Sequence, residues 1–171
     1  MRDDRLKWTA PRGEVRFDLG GGTTLTQVKG LQLTLRSGTN VLNTTDLPQV
    51  GWPDIAPDGE HVLVMRRDRL LCVGGDTTAE GWDDTTQQAV SNMSDGYAVF
   101  DLTGDLAFQI LQAGTEISLT RPSRSVVRQA FGLGLLIHRI KDEDTYRLYA
   151  LRYNADALIG HIQAVASGLQ R

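Results

Sequence analysis

GYAVFDLTGDLAFQILQAG, residues 96–114, decides how the rest of the chain is read. GYAVFDLTG reads as a strand with an abrupt stop. TGDLAFQILQAG then reads as a helix, with Thr103 as its cap, an i, i+3/i+4 stripe of Leu106, Ala107, Ile110 and Leu111, and Gly114 to close it. Strands follow: ISL, SVVRQAF and LGLLIHRI, then TYRLYALRY after a turn at DED. A closing helix starts at Asn154 and buries Leu158, Ile159, Ile162, Val165, Ala166 and Leu169.

The text before Gly96 is richer in strands. VRFDL and TTLTQV flank Gly20-Gly21-Gly22, and GLQLTLRSG alternates Leu31, Leu33 and Leu35 on one face. HVLVMRRDRLLCVGG is a β-hairpin turning at Arg67-Asp68. The segment Asp84 to Met93 is expected to hold a short helix. Between them, Thr44 to Glu60 carries three prolines and reads as a long loop that is functional or docks on something. Helices do not alternate regularly with strands, so the prediction is an α+β fold with largely antiparallel sheets and few helices. Residues 1–13 are expected to be a flexible arm. Residues 14–171 are expected to form a single domain, either one unit or two packed halves, 14–93 and 94–171.

FDLGGGTTLT, residues 17–26, resembles a phosphate loop of the actin-like ATPases. That fold needs two large lobes and a second phosphate hairpin, and this chain offers neither, so the glycines read as a tight turn between strands. The net charge of −3 gives no field for attracting nucleic acid. No apolar run reaches 18 residues, so no membrane span is expected. The single cysteine, Cys72, sits in an apolar strand, reads as core, and fits a reducing cytoplasm. His61, His138 and His161 lie on separate segments without metal-ligand spacing, so no metal site is expected.

Four residues stand out as ligand contacts. Asp101 ends a strand just before a helix, where its carboxylate would reach a ligand, or cap the helix N-terminus or form a turn. Arg121, Arg124 and Arg128 in RPSRSVVR would clamp a carboxylate, or form a solvated loop edge. Trp8, Trp52 (followed by Pro53) and Trp82 lie near Pro or Gly, as core lids or as interface anchors.

SDGYAVFDLTGDLAFQILQAGTEISL and FGLGLLIHRIKDEDTYRLYALRYNADALIGHI together resemble the gamma subunit of heterotetrameric sarcosine oxidase. That family lies in the group sharing the folate-binding domain of the glycine-cleavage aminomethyltransferase. The resemblance rests on the turn Leu102-Thr103-Gly104, the helix end Ile110-Leu111-Gln112-Ala113-Gly114, and the run Ile137-His138-Arg139. DLPQVGWPD and RLLCVGGD agree more loosely, so it extends from Asp46 onward. It implies an aminomethyltransferase folate-binding-domain-like fold and a non-catalytic accessory subunit of a heteromeric sarcosine oxidase-like amine oxidase. Larger flavin- and folate-binding oxidase subunits would be its partners. Trp52, Pro53 and Trp82 would lie at the partner interface. Aligning on Arg139 places Leu133 and Gly134 where aminomethyltransferases carry an acidic pair; neither accepts a proton, so no catalytic residue is expected. The resemblance leaves two alternatives: a free-standing folate-like ligand binder, with tetrahydrofolate held by Asp101 and the arginine run, or an aminomethyltransferase paralogue.

Overall fold

The computed structural model describes residues 15–75, 79–141 and 144–170; the arm expected at 1–13, with Trp8, lies outside them. In chain order the strands are β1 (Arg16–Asp18), β2 (Thr24–Val28), β3 (Leu33–Gly38), β4 (Gln49–Val50), β5 (Ile55–Ala56), β6 (His61–Arg66) and β7 (Arg69–Val73). They continue as β8 (Gly81–Asp83), β9 (Gln88–Asn92), β10 (Tyr97–Thr103), β11 (Val127–Ala130), β12 (Leu133–Ile140) and β13 (Thr145–Leu151). Two helices complete the fold, α1 (Ala107–Gly114) between β10 and β11, and α2 (Ala155–Leu169) after β13.

The strands form two sheets. The first runs β1-β2-β10-β13-β12-β11, with β5 added beside β12; the second runs β4-β6-β7-β3-β9-β8. Pairing is antiparallel throughout except at β4–β6 and β5–β12, each only two residues long. This is the α+β, largely antiparallel fold expected. The first sheet draws β1, β2 and β5 from before residue 94 and the rest from after it, so the 93/94 boundary does not separate the sheets.

Alternation along each strand builds the layers. On β13, Tyr146, Leu148 and Ala150 face the helices and pack with Ile110, Leu158 and Ile162. Tyr149, one position out of phase, packs instead among Leu63 and Leu71 of the second sheet. The order is therefore helices, first sheet, second sheet. Burying each such Leu or Ile contributes about 2 kcal/mol. On α2, Leu158, Ile159, Ile162 and Ala166 are buried as expected and Val165 is partly buried, whereas Leu169, at the helix end, is exposed.

Three local expectations change. Residues 84–93 form no helix: β8 and β9 make a hairpin. Asp83 accepts from Thr85 N–H (2.9 Å) and Thr86 Oγ1 (2.7 Å), Gln87 takes a left-handed φ of 55°, and Gln88 and Val90 alternate inward. Ile117–Leu119 is not a strand; Ile117 is buried by packing alone. No side chain caps α1: its N-cap residue is Leu106 rather than Thr103, and the Leu106 N–H itself donates to Thr23 Oγ1 at 3.0 Å. Thr23 reaches it because Gly20, Gly21 and Gly22, all at positive φ, fold the β1–β2 hairpin back onto the start of α1.

Candidate functional site

Where the sheets face each other, the inner surface of the first is broken by a polar row. Cross-strand register places Thr26, Asp101, Arg147 and His138 side by side on β2, β10, β13 and β12. Arg147 Nε donates to Asp101 Oδ1 at 2.7 Å and Nη2 to Oδ2 at 2.9 Å, a two-pronged pair with side chains only 14% and 15% exposed. Asp101 thus lies inside a strand and is bound within the fold, rather than at a strand end.

His138 Nδ1–H donates to the Arg139 carbonyl at 3.0 Å, leaving Nε2 to accept from the Tyr149 hydroxyl at 3.4 Å. Burial holds the His138 imidazole down to about 3 and pushes the Tyr149 hydroxyl up. His61, from β6 of the second sheet, meets His138 edge-on at 5.6 Å between ring centres. Its Nδ1–H donates to Gly59 O at 2.9 Å, and burial lowers its basicity too. Both imidazoles are neutral near pH 7, and the row supplies buried hydrogen bonding between the strands. Beside it lies a cavity of about 360 Å³ lined in part by His61, Arg147, Glu60 and Ile140.

The sequence placed the histidines apart, and the fold brings two of them together. The signal for this row was three polar side chains, Asp101, His138 and Arg147, each set within a mostly apolar strand. Among the described residues, no group of three or more His, Cys, Asp or Glu side chains is arranged to hold a metal ion.

The arginine run divides. Arg121 and Arg128 line one cavity of about 310 Å³ with Trp52, Glu116 and Ser118; Arg124 lines a different groove. Arg121 stands 3.9 Å from Glu116, both highly exposed. Arg128 Nη1 donates to the Ser125 and Val127 carbonyls at 3.0 and 2.7 Å, and its guanidinium lies 5.9 Å from the centre of a Trp52 ring.

Trp52 is not a surface anchor. It is 2% exposed, stacks on Tyr146 at 6.2 Å and donates from Nε1 to Ser118 O at 2.7 Å. The reason is local: its backbone exchanges two 2.7 Å hydrogen bonds with Ser123, drawing the ring under the loop. Pro53 beside it is half-buried. Trp82, on the edge strand β8, is 59% exposed and donates from its ring nitrogen to Asp84 Oδ1 at 2.9 Å. Among the described residues, no helix is long and apolar enough to cross a membrane.

No protein-family model matches this chain, and no curated protein sequence matches it. A chain of heterotetrameric sarcosine oxidase from Corynebacterium sp. U-96, solved in complex with pyrrole 2-carboxylate, is similar to it in structure. The TM-score is 0.67 at 14% sequence identity, over 87% of this chain and 86% of that one. Near-equal coverage means that the two chains are of about the same length. The architecture built from β1 to α2 is therefore that of a subunit-sized chain of a heterotetrameric sarcosine oxidase.

Proposed function

We propose that this chain is a non-catalytic accessory subunit of a heteromeric, flavin- and folate-linked amine oxidase of the sarcosine oxidase type. The observation carrying this reading is the likeness to a chain of heterotetrameric sarcosine oxidase over nearly the whole length of both. The polar row is compatible with it: Asp101, the carboxylate of that row, is committed to Arg147 through two hydrogen bonds. Exposed Trp82 and Tyr153 (81% exposed) add aromatic surface of the kind enriched at protein interfaces. In this reading the chain shapes and stabilises the assembly, while the larger subunits hold the flavin and the folate.

The test is a native pull-down of the tagged chain from its source cells, with flavin absorbance and mass spectrometry of the co-purifying chains. Recovery of a large flavin-bearing chain at a fixed ratio is expected. Recovery of the tagged chain alone would sink the reading.

A second reading rests on the cavity shared by Arg121, Arg128 and Trp52. Two guanidiniums at one cavity suit the carboxylates of a folate-like ligand. Saturable binding of tetrahydrofolate to the isolated chain, lost in Arg121→Ala/Arg128→Ala, is its expected signature.

A further inference from the structure

Near the β6–β7 turn the two sheets are stitched together at their rims. Val126 N–H donates to Val64 O at 2.9 Å and Ser125 Oγ to Met65 O at 2.7 Å, which fixes the loop before β11 against the bulged end of β6. Between these segments runs a groove of about 540 Å³, larger than either cavity above. Its floor is apolar, with Val64, Met65 and Val127, the last 38% exposed. Arg66, Arg67 and Arg124, all exposed, stand around it, and no Asp or Glu lines it.

Three like charges gathered at one groove repel one another, and the chain as a whole is acidic, at −3. Among the described residues none of the three arginines has an ion-pair partner. Carboxylates of a bound partner would supply the counter-charge. Guanidiniums take carboxylates two-pronged, while the floor takes an aliphatic or aromatic side chain. The arginines belong to two different segments on either side of an open trough. That geometry suits a chain laid across it better than an enclosed small molecule.

We infer that this groove docks an extended acidic segment of a larger oxidase subunit, with one apolar side chain seated between carboxylates. The inference rests on the accessory-subunit reading and adds to it the docking face and the chemistry of the partner.

The test compares the assembled complex made with the wild-type chain, with Arg66→Glu/Arg67→Glu/Arg124→Glu, and with Arg16→Glu. Arg16 lies on β1, at the opposite edge of the first sheet from β11, and matches the sign of charge change. Affinity for the large subunit is measured against salt concentration. The triple variant is expected to bind at least about tenfold more weakly and with a flatter salt dependence, and Arg16→Glu within about twofold of wild type. Arg124→Glu alone, at an exposed loop position, carries the same expectation at about threefold, should the triple variant fold poorly. Undiminished affinity in variants whose circular dichroism matches wild type would place docking elsewhere and leave the accessory-subunit reading standing. A wild-type chain that binds no large subunit would overturn both.

Discussion

Arg147 and Asp101 oppose each other across the β13–β10 pairing and share two parallel hydrogen bonds of 2.7 and 2.9 Å. The pair sits between two sheets, where an unmatched charge has few waters to turn to. Asp101→Ala should therefore cost about 3 kcal/mol, more than a surface pair would. Asp101→Asn keeps one acceptor and should cost less. Urea unfolding of the two variants checks the order; equal, negligible losses would mean the pair is well solvated.

His138 gives a pH dependence with a definite sign. Its folded value, about 3, lies below the ordinary histidine value of 6.5, so the unfolded chain binds the proton more readily. Its contribution is full above 6.5 and falls away as the pH drops toward 3. Between pH 8 and pH 5 the loss should be about 2 kcal/mol from His138 alone, with a further loss from His61, which is lowered in the same direction. Urea midpoints at those two pH values should differ more for wild type than for His138→Gln. Equal differences would mean that His138 titrates normally.

Gly104 lies at φ 115°, and a Cβ there would come within 2.6 Å of the Gly22 carbonyl oxygen. Gly104→Ala meets both left-handed strain and a backbone clash, and should destabilise by about 2 kcal/mol or more. Gly22 has φ 73° but open space around it, so Gly22→Ala should cost only about 1 kcal/mol. Melting temperatures that rank the two the other way would refute this account of the β1–β2 turn against α1.

Trp52 and Trp82 should behave as opposites. Trp52→Ala empties a site under Tyr146 and leaves the Ser118 carbonyl without its donor, for a loss of about 3–5 kcal/mol. Trp82→Ala removes an exposed ring and should leave stability within about 0.5 kcal/mol while weakening large-subunit binding. Thermal unfolding together with a binding assay separates the two; a stability loss at Trp82 to match that at Trp52 would contradict the assignment.

Local rules were enough where one residue's neighbours in sequence are its neighbours in space. The β6–β7 hairpin turns at Arg67-Asp68, α1 ends at Gly114, and α2 begins just after Asn154, all as the alternation and helical stripes imply. The error at 84–93 arose because DDTTQQAV has too few apolar residues to fix a period, and the Asp83 turn decided for a hairpin. Thr103 looked like the α1 cap because it is close in sequence, but the N-cap position falls on Leu106, whose N–H is taken by Thr23 from the β1–β2 hairpin.

The candidate sites divide along the same line. From the sequence alone came the strand alternation, the two helices, the tight glycine turn and a list of polar residues worth watching, because each depends on spacing within one segment. Only the tertiary structure decided that His61 meets His138, that Arg147 claims Asp101, that Trp52 turns inward, and that Arg124 parts from Arg121 to join Arg66 and Arg67. Those are contacts between segments far apart in the chain. They are set by how two twisted sheets stack and which strands pair, and no local period encodes that packing.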